Sequence, residues 1–251
     1  MTTITLIGTG RLSFNLMNEI LEIESLQLNQ IYGRSMFRPK HISDDIDYIK
    51  DIDNLKHSDF YFICVSDDQI LNVSKKLNVN DRVVVHLSGS TEMDILLHHQ
   101  NFGVFYPLQT FSYESELSFK EIPILIEANN KKTLAKINTL AKLFSKKVRK
   151  MNSKKRLICH LSATIANNFS NHMIVTAEKI LENNKIDKKL IRPLVFETIK
   201  KLQKMNAVDA QTGPAIRNDL LTIKKHMKQL NESEFLNLYK EITKSIMSNE
   251  L

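Results

Sequence analysis

Apolar residues in the first part of the chain fall into short runs separated by amphipathic stretches. Runs at 3–7, 28–32, 60–65, 82–87, 103–106 and 122–126 read as strands. Positions 60–65 are apolar without alternation, the pattern of a central strand covered on both faces. Between these runs, 12–24, 69–77 and 131–144 carry helical spacing, with Leu134, Ile137, Leu140 and Leu143 on one stripe. Residues 51–57 are too short to assign. After about residue 151 the strand-like runs stop, and 157–183, 187–206, 214–230 and 232–248 read as helices. Alternating strands and helices predict a parallel sheet. The pattern therefore predicts an α/β domain over residues 1–152 and an all-helical domain over 153–251.

The first run leads straight into Gly8-Thr9-Gly10-Arg11-Leu12-Ser13. That is the strand–turn–helix order of a dinucleotide-binding loop, which makes the first domain Rossmann-type. Gly8 permits the tight turn and Gly10 lets the backbone approach a pyrophosphate. The N–H groups and positive dipole end of the next helix face the anion. These six residues are the first part of an expected cofactor site. NAD-binding loops usually place a carboxylate about 20 residues beyond the glycines. Here Gly33-Arg34-Ser35 stands at the end of the second run instead, with Arg38 and Lys40 close behind. Arg34 and Ser35 suit a 2′-phosphate, so NADP is favoured over NAD.

Two further runs end at Ser66-Asp67-Asp68 and at His86-Leu87-Ser88-Gly89-Ser90, on the carboxyl edge where open α/β sheets bind ligands. Ser66, Asp67 and Ser88 join the expected cofactor site. Asp67 or Asp68 reads most simply as the N-cap of the next helix, and His86 as a core histidine. Gln109, within 106–111, is expected to form the far wall of the cleft.

His160, Thr164, Asn167, Asn168 and Asn171 recur at steps of three and four on one helical face. An uncharged stripe in a chain rich in Lys and Glu reads as the lining of a polar cleft. The competing account is amide-rich surface. His160 is the expected proton donor, Asn168 orients substrate, and Thr164 lies between them. Further on, Thr212 reads as a cap and Pro214 as the first turn of a helix that also carries His226. Arg217 is placed to hold an anionic substrate group, although Arg217 and Asp219 read equally well as surface charges.

The 251 residues carry a formal net charge of +7. Much of the excess lies at 146–150 and 154–156, which read as a solvated helix end and linker. No aromatics interleave there, and no helix-turn-helix or RNA-binding signature appears, so no nucleic-acid partner is expected. Cys64 and Cys159 are too isolated for a metal or disulfide framework and read as core thiols. No run is long enough for a membrane span, and the N-terminus lacks a signal-peptide pattern. The expected setting is the reducing cytoplasm.

Taken together, these segments resemble a family of Rossmann-like oxidoreductases with a C-terminal helical domain of unknown function. That family is related to pyrroline-5-carboxylate reductase, the deazaflavin-dependent NADP reductases and the β-hydroxyacid dehydrogenases. The resemblance rests on residues 8–13, 65–70, 86–90, 106–111, 160–169 and 212–219. It implies an NAD(P)-binding fold and a homodimer packed through the helical domains. Tyr106 stands where the family pattern has His, and Asn218 where it has Gly, so no catalytic role carries over to position 106. In the β-hydroxyacid dehydrogenases a Lys four residues before an Asn moves the proton. Thr164 stands four before Asn168 here, so that mechanism does not transfer.

The reading is an NADP-dependent oxidoreductase that moves a hydride to or from a small polar carbonyl, imine or hydroxy substrate held between the two domains. The alternative is a non-catalytic NADP-binding sensor or interaction module.

Overall fold

Successive side chains on a strand point to opposite faces, so strands apolar at every position form a sheet that must be covered twice. In the computed structural model, which describes residues 1–114 and 117–248, this is what happens. The strands are β1 (Thr2–Ile7), β2 (Leu26–Tyr32), β3 (Tyr48–Ile49), β4 (Phe60–Ile63), β5 (Val83–His86), β6 (Asn101–Pro107), β7 (Ile124–Ala128) and β8 (Val148–Lys150). They form one sheet in the order β3-β2-β1-β4-β5-β6-β7-β8, parallel throughout except between β6 and β7.

On one face Ile4, Leu6, Phe62, Val85 and Phe105 pack with Leu16 and Ile20 of α1 (Arg11–Glu22) and with Ile137 and Phe144 of α3 (Lys131–Phe144). On the other, Ile7, Tyr61, Ile63 and Val84 meet Ile70 and Val73 of α2 (Ile70–Lys76). A third cluster joins Val104, Tyr106 and Leu125 to Cys159 of α4 (Ser153–Ala163).

The chain divides into two compact units, Met1–Ile165 and Ala166–Leu251. The first includes α4, because its buried residue Arg156 is bonded to β7. The second is helical: α5 (Ser170–Asn183), α6 (Arg192–Leu202), α7 (Ala207–Ala210), α8 (Leu220–Gln229) and α9 (Leu236–Met247). No helix among the described residues is long and apolar enough to cross a membrane.

Several elements differ from the hydrophobic pattern. The strands β3 and β8 have two and three residues, too few for a period to register. The segment 146–150 is therefore not a helix end and linker: Val148 pairs with Ile124, and exposed Arg149 and Lys150 protect the sheet edge from further pairing. Residues 51–57 hold a single 3₁₀ turn at Ile52–Asn54. The helix expected over 157–183 is broken by a π-helix at Thr164–Phe169. Over 187–206, a 3₁₀ turn at Lys188–Ile191 precedes α6. The helix expected from Pro214 begins only at Leu220. Asn218 has φ +54°, which ends the preceding turn, and Asp219 caps α8 by accepting from the Thr222 N–H at 3.0 Å. Thr212 is not a cap.

Candidate functional site

Gly8 has φ +123°, its N–H donates to the Tyr32 carbonyl at 2.8 Å, and a Cβ there would stand 2.5 Å from the Cys64 carbonyl oxygen. Only glycine fits. Gly10 is the N-cap of α1 and offers no side-chain cap, while the first turn of α1 contains no acidic residue. The positive end of the helix is thus left uncompensated. A Cβ at Gly10 would meet nothing within 4 Å. The chain itself does not demand glycine there, whereas an anion seated against the helix end would.

A cavity of about 210 Å³ opens at this point, lined by Gly8, Thr9, Gly10, Arg34, Ser66 and Gln69, among others. It lies where β1 is flanked by β2 and β4, so the chain leaves the sheet in opposite directions on the two sides. Open α/β sheets bind dinucleotides at such switch points. The residues present fit a dinucleotide.

Not every residue of the motif faces the cavity. Ser13 is 2% exposed, and its Oγ donates to the Gly8 carbonyl at 2.7 Å, fastening the loop to the helix. Leu12 packs against the core. Arg11 is exposed on the first turn of α1. Neither Ser13 nor Leu12 presents a side chain to a ligand.

Arg34 and Ser35 are exposed at the end of β2. Among the described residues the Arg34 guanidinium makes no hydrogen bond or ion pair, whereas Arg38 is engaged. Arg38 donates to the carbonyls of Ser43 and Ile46, lies 3.6 Å from Asp44 and sits over the Tyr48 ring. The Ser35 Oγ accepts from the Phe37 N–H at 3.2 Å. A hydrogen bond from Gln69, then one from Ser66, hold the Asp68 carboxyl below its ordinary range, and the Arg34 charge adds to this. Ser66 begins the 3₁₀ turn Asp67–Gln69, so neither aspartate is the cap.

Asp67 does other work. Its Oδ2 accepts from Ser88 Oγ at 2.8 Å and from Ser90 Oγ, tying the loop after β4 to the loop after β5. His86 is fully buried, and its Nδ1 accepts from the Ser88 N–H at 3.2 Å. Burial, helped by the Arg156 charge, drives His86 down to about 3, so it stays neutral as a core histidine.

Beside that loop, Tyr106 Oη lies 3.1 Å from His160 Nδ1, with the rings edge to face. A Cβ on Gly89 would stand 2.6 Å from His160 Nδ1 and 2.7 Å from Tyr106 Cζ, so the absence of a side chain lets the loop close over the pair. Burial pushes the Tyr106 phenol above its ordinary value, with the Arg156 charge pulling the other way.

The run 154–156 hid the main residue that the sequence reading missed. Arg156 is 1% exposed, not solvated. It pairs with Glu127 at 2.6 Å, and donates to Ser153 Oγ and the Thr91 carbonyl. Its helical phase, three and four residues before Cys159 and His160, was the available signal.

Thr164 Oγ1 donates to the His160 carbonyl at 3.0 Å. Gln109 is exposed and bonds its neighbour, the Thr110 N–H, at 2.8 Å. In the second unit, Asn168 is exposed on the π-helix and Arg217 on the turn before α8. Thus Gly8, Thr9, Gly10, Arg34 and Ser66 share one cavity, Asp67 binds Ser88, and His160 binds Tyr106.

Residues 122–246 match the family described as Domain of unknown function (DUF2520). A crystal structure named as a candidate NADP oxidoreductase from Bacteroides fragilis is 30% identical, covers 99% of this chain and 98% of its own, and superposes with a TM-score of 0.89. A protein from Thermotoga maritima is 24% identical over 98% of each chain, with a TM-score of 0.81. The pyrroline carboxylate reductase of Plasmodium falciparum, solved with NADP bound, shares the fold at 14% identity and a TM-score of 0.63 over 98% of each chain. No functionally curated protein matches the chain in sequence. The chain belongs to the DUF2520 family of Rossmann-fold proteins.

Proposed function

From its place in that family, we propose that the protein is an NADP-dependent oxidoreductase acting on a small polar carbonyl, imine or hydroxy compound. The observation that carries this reading is the glycine-loop cavity, lined by Gly10 at the uncompensated helix end and by Arg34, which is unpaired among the described residues. The helix end takes the pyrophosphate, and Arg34 with Ser35 takes the 2′-phosphate. The name of the 30% identical relative supports the same assignment. When bound, the dinucleotide supplies or accepts the hydride.

The chain's own residues do the rest. Ser66 and the Asp67–Ser88 pair hold the loops that border the cofactor. His160 moves the proton at the substrate's heteroatom. In the first unit, Thr164 and Gln109 offer hydrogen bonds to a polar substrate; the second unit carries an exposed amide at Asn168 and an exposed cation at Arg217. The helical unit leaves Leu190, Leu194, Phe196, Val208 and Leu221 exposed to water, which supports a covering partner. A second copy of the chain covers them in a homodimer. The free thiols of Cys64 and Cys159 suit the reducing cytoplasm.

The test follows NADPH absorbance against a panel of small carbonyls and imines. Reproducible turnover, abolished by Gly10→Asp in a folded protein, is the expected result. Tight NADPH binding with no turnover across the panel would favour the sensor reading instead.

A further inference from the structure

Within the first unit, the Tyr106 ring packs in the core while its hydroxyl makes a polar contact that seats no dinucleotide. Tyr106 is 9% exposed at the end of β6, and among the described residues the only hydrogen-bond partner of its hydroxyl is His160 Nδ1. A buried phenol O–H needs an acceptor. It therefore donates to Nδ1, which leaves the imidazole proton on Nε2. The His160 ring is half-buried, and its Nε2 makes no hydrogen bond among the described residues. A Cβ on Gly89 would collide with both side chains, so glycine there leaves room for the pair.

We propose that Tyr106 and His160 form a proton relay, in which Nε2 gives its proton to the substrate's heteroatom while Nδ1 takes the phenol proton of Tyr106. This rests on the oxidoreductase reading and adds the source of the proton to it. In the reductive direction, the electron pair left on the heteroatom takes the Nε2 proton. The Nε2–H bond breaks, the Nδ1–H bond forms with the proton from Tyr106, and the imidazole ends neutral in its other tautomer. Tyr106 ends as a phenolate and regains a proton from water. The charged and titratable groups facing the pair are Arg156 and Cys159 on α4 and Asp67 after β4. Arg156 is the cation among them and opposes the cost of the transient phenolate.

The relay never needs an imidazolium, and this separates it from a lone histidine acid. A lone imidazole donates only as its cation, a form that fades above neutrality. In the full-length protein, ¹⁵N shifts of labelled histidine should show His160 as the Nε2–H tautomer, a preference lost in Tyr106→Phe. Reductive turnover with NADPH should stay flat from about pH 7 to 9 in the unmodified protein, and fall roughly tenfold per pH unit in Tyr106→Phe. KM should change little, and an unshifted melting curve would show that the variant folds. An Nδ1–H tautomer in the unmodified protein, or the same pH profile in both proteins, would overturn the relay. The tautomer measurement needs no substrate. Failure of the oxidoreductase reading thus shows as absent turnover, and failure of the relay as the wrong tautomer.

Discussion

Arg34 and Arg156 are both arginines in basic surroundings, yet the structure uses them in opposite ways. Arg34 is exposed and unpaired among the described residues, at the rim of the cavity. Arg34→Ala should weaken NADP binding about ten- to a hundredfold, the loss of a charge-assisted contact worth roughly 1.5–3 kcal/mol, and leave NAD binding nearly unchanged. Calorimetric titration with both cofactors checks this, and an equal loss for both would assign Arg34 to the fold or the adenine pocket. Arg156 is buried against Glu127. Arg156→Met should destabilise the protein by about 1–3 kcal/mol, because it takes the cation from the partly buried Glu127 carboxylate, which keeps only Ser153 Oγ, and adding Glu127→Leu should recover part of that. Urea unfolding of the two variants decides it; a single substitution without effect would show that the pair is solvated. The glycines were legible in the sequence because backbone geometry admits few residues at such turns. Arg156 was not, because a charge reads as solvent-facing until its partner is known, and Glu127 is remote in sequence.

At the scale of elements, hydrophobic period located six of the eight strands and failed where an element was too short or its backbone irregular. The strands β3 and β8 carry no period that two or three residues can express. The π-helix at Thr164–Phe169 sits in a sequence that reads as continuous helix, since its side chains give no cue to the wider turn. Asn218 is a clearer case. Its φ of +54° lies in the left-handed region that glycine adopts freely and asparagine tolerates. The departure from the family's glycine therefore keeps the backbone conformation. Asn218→Gly should be close to neutral, and Asn218→Val should cost about 1–2 kcal/mol. Chemical denaturation of the pair reads this out, and a harmless valine would contradict the turn.

For the whole molecule, two buried histidines set a pH limit. Burial lowers His86 to about 3 and, with the neighbouring His98, His99 to about 4. His99 shares the hydroxyl of Ser74 with His98, at 2.9 and 3.0 Å. Both are neutral when folded, while the unfolded chain protonates them near pH 6.5. The stability they support is complete above that value and is lost as pH falls towards 4 and then 3. At about pH 5, unfolding should take up about two protons at these sites, and about one in His99→Gln, read from the pH dependence of the unfolding free energy. Identical slopes would show that His99 is solvated. The alternating architecture and the glycine loop were readable from one sequence, whereas the Tyr106–His160 contact depends on β6 and α4 meeting and was not. Dinucleotide binding is decisive, measured by calorimetry with NADP⁺ and NAD⁺ on the unmodified protein and on Gly10→Asp. The expected result is one site per chain, NADP⁺ bound at least tenfold more tightly than NAD⁺, and no binding to the folded variant. No heat from either dinucleotide at millimolar concentration, or equal affinity for the two, would contradict it.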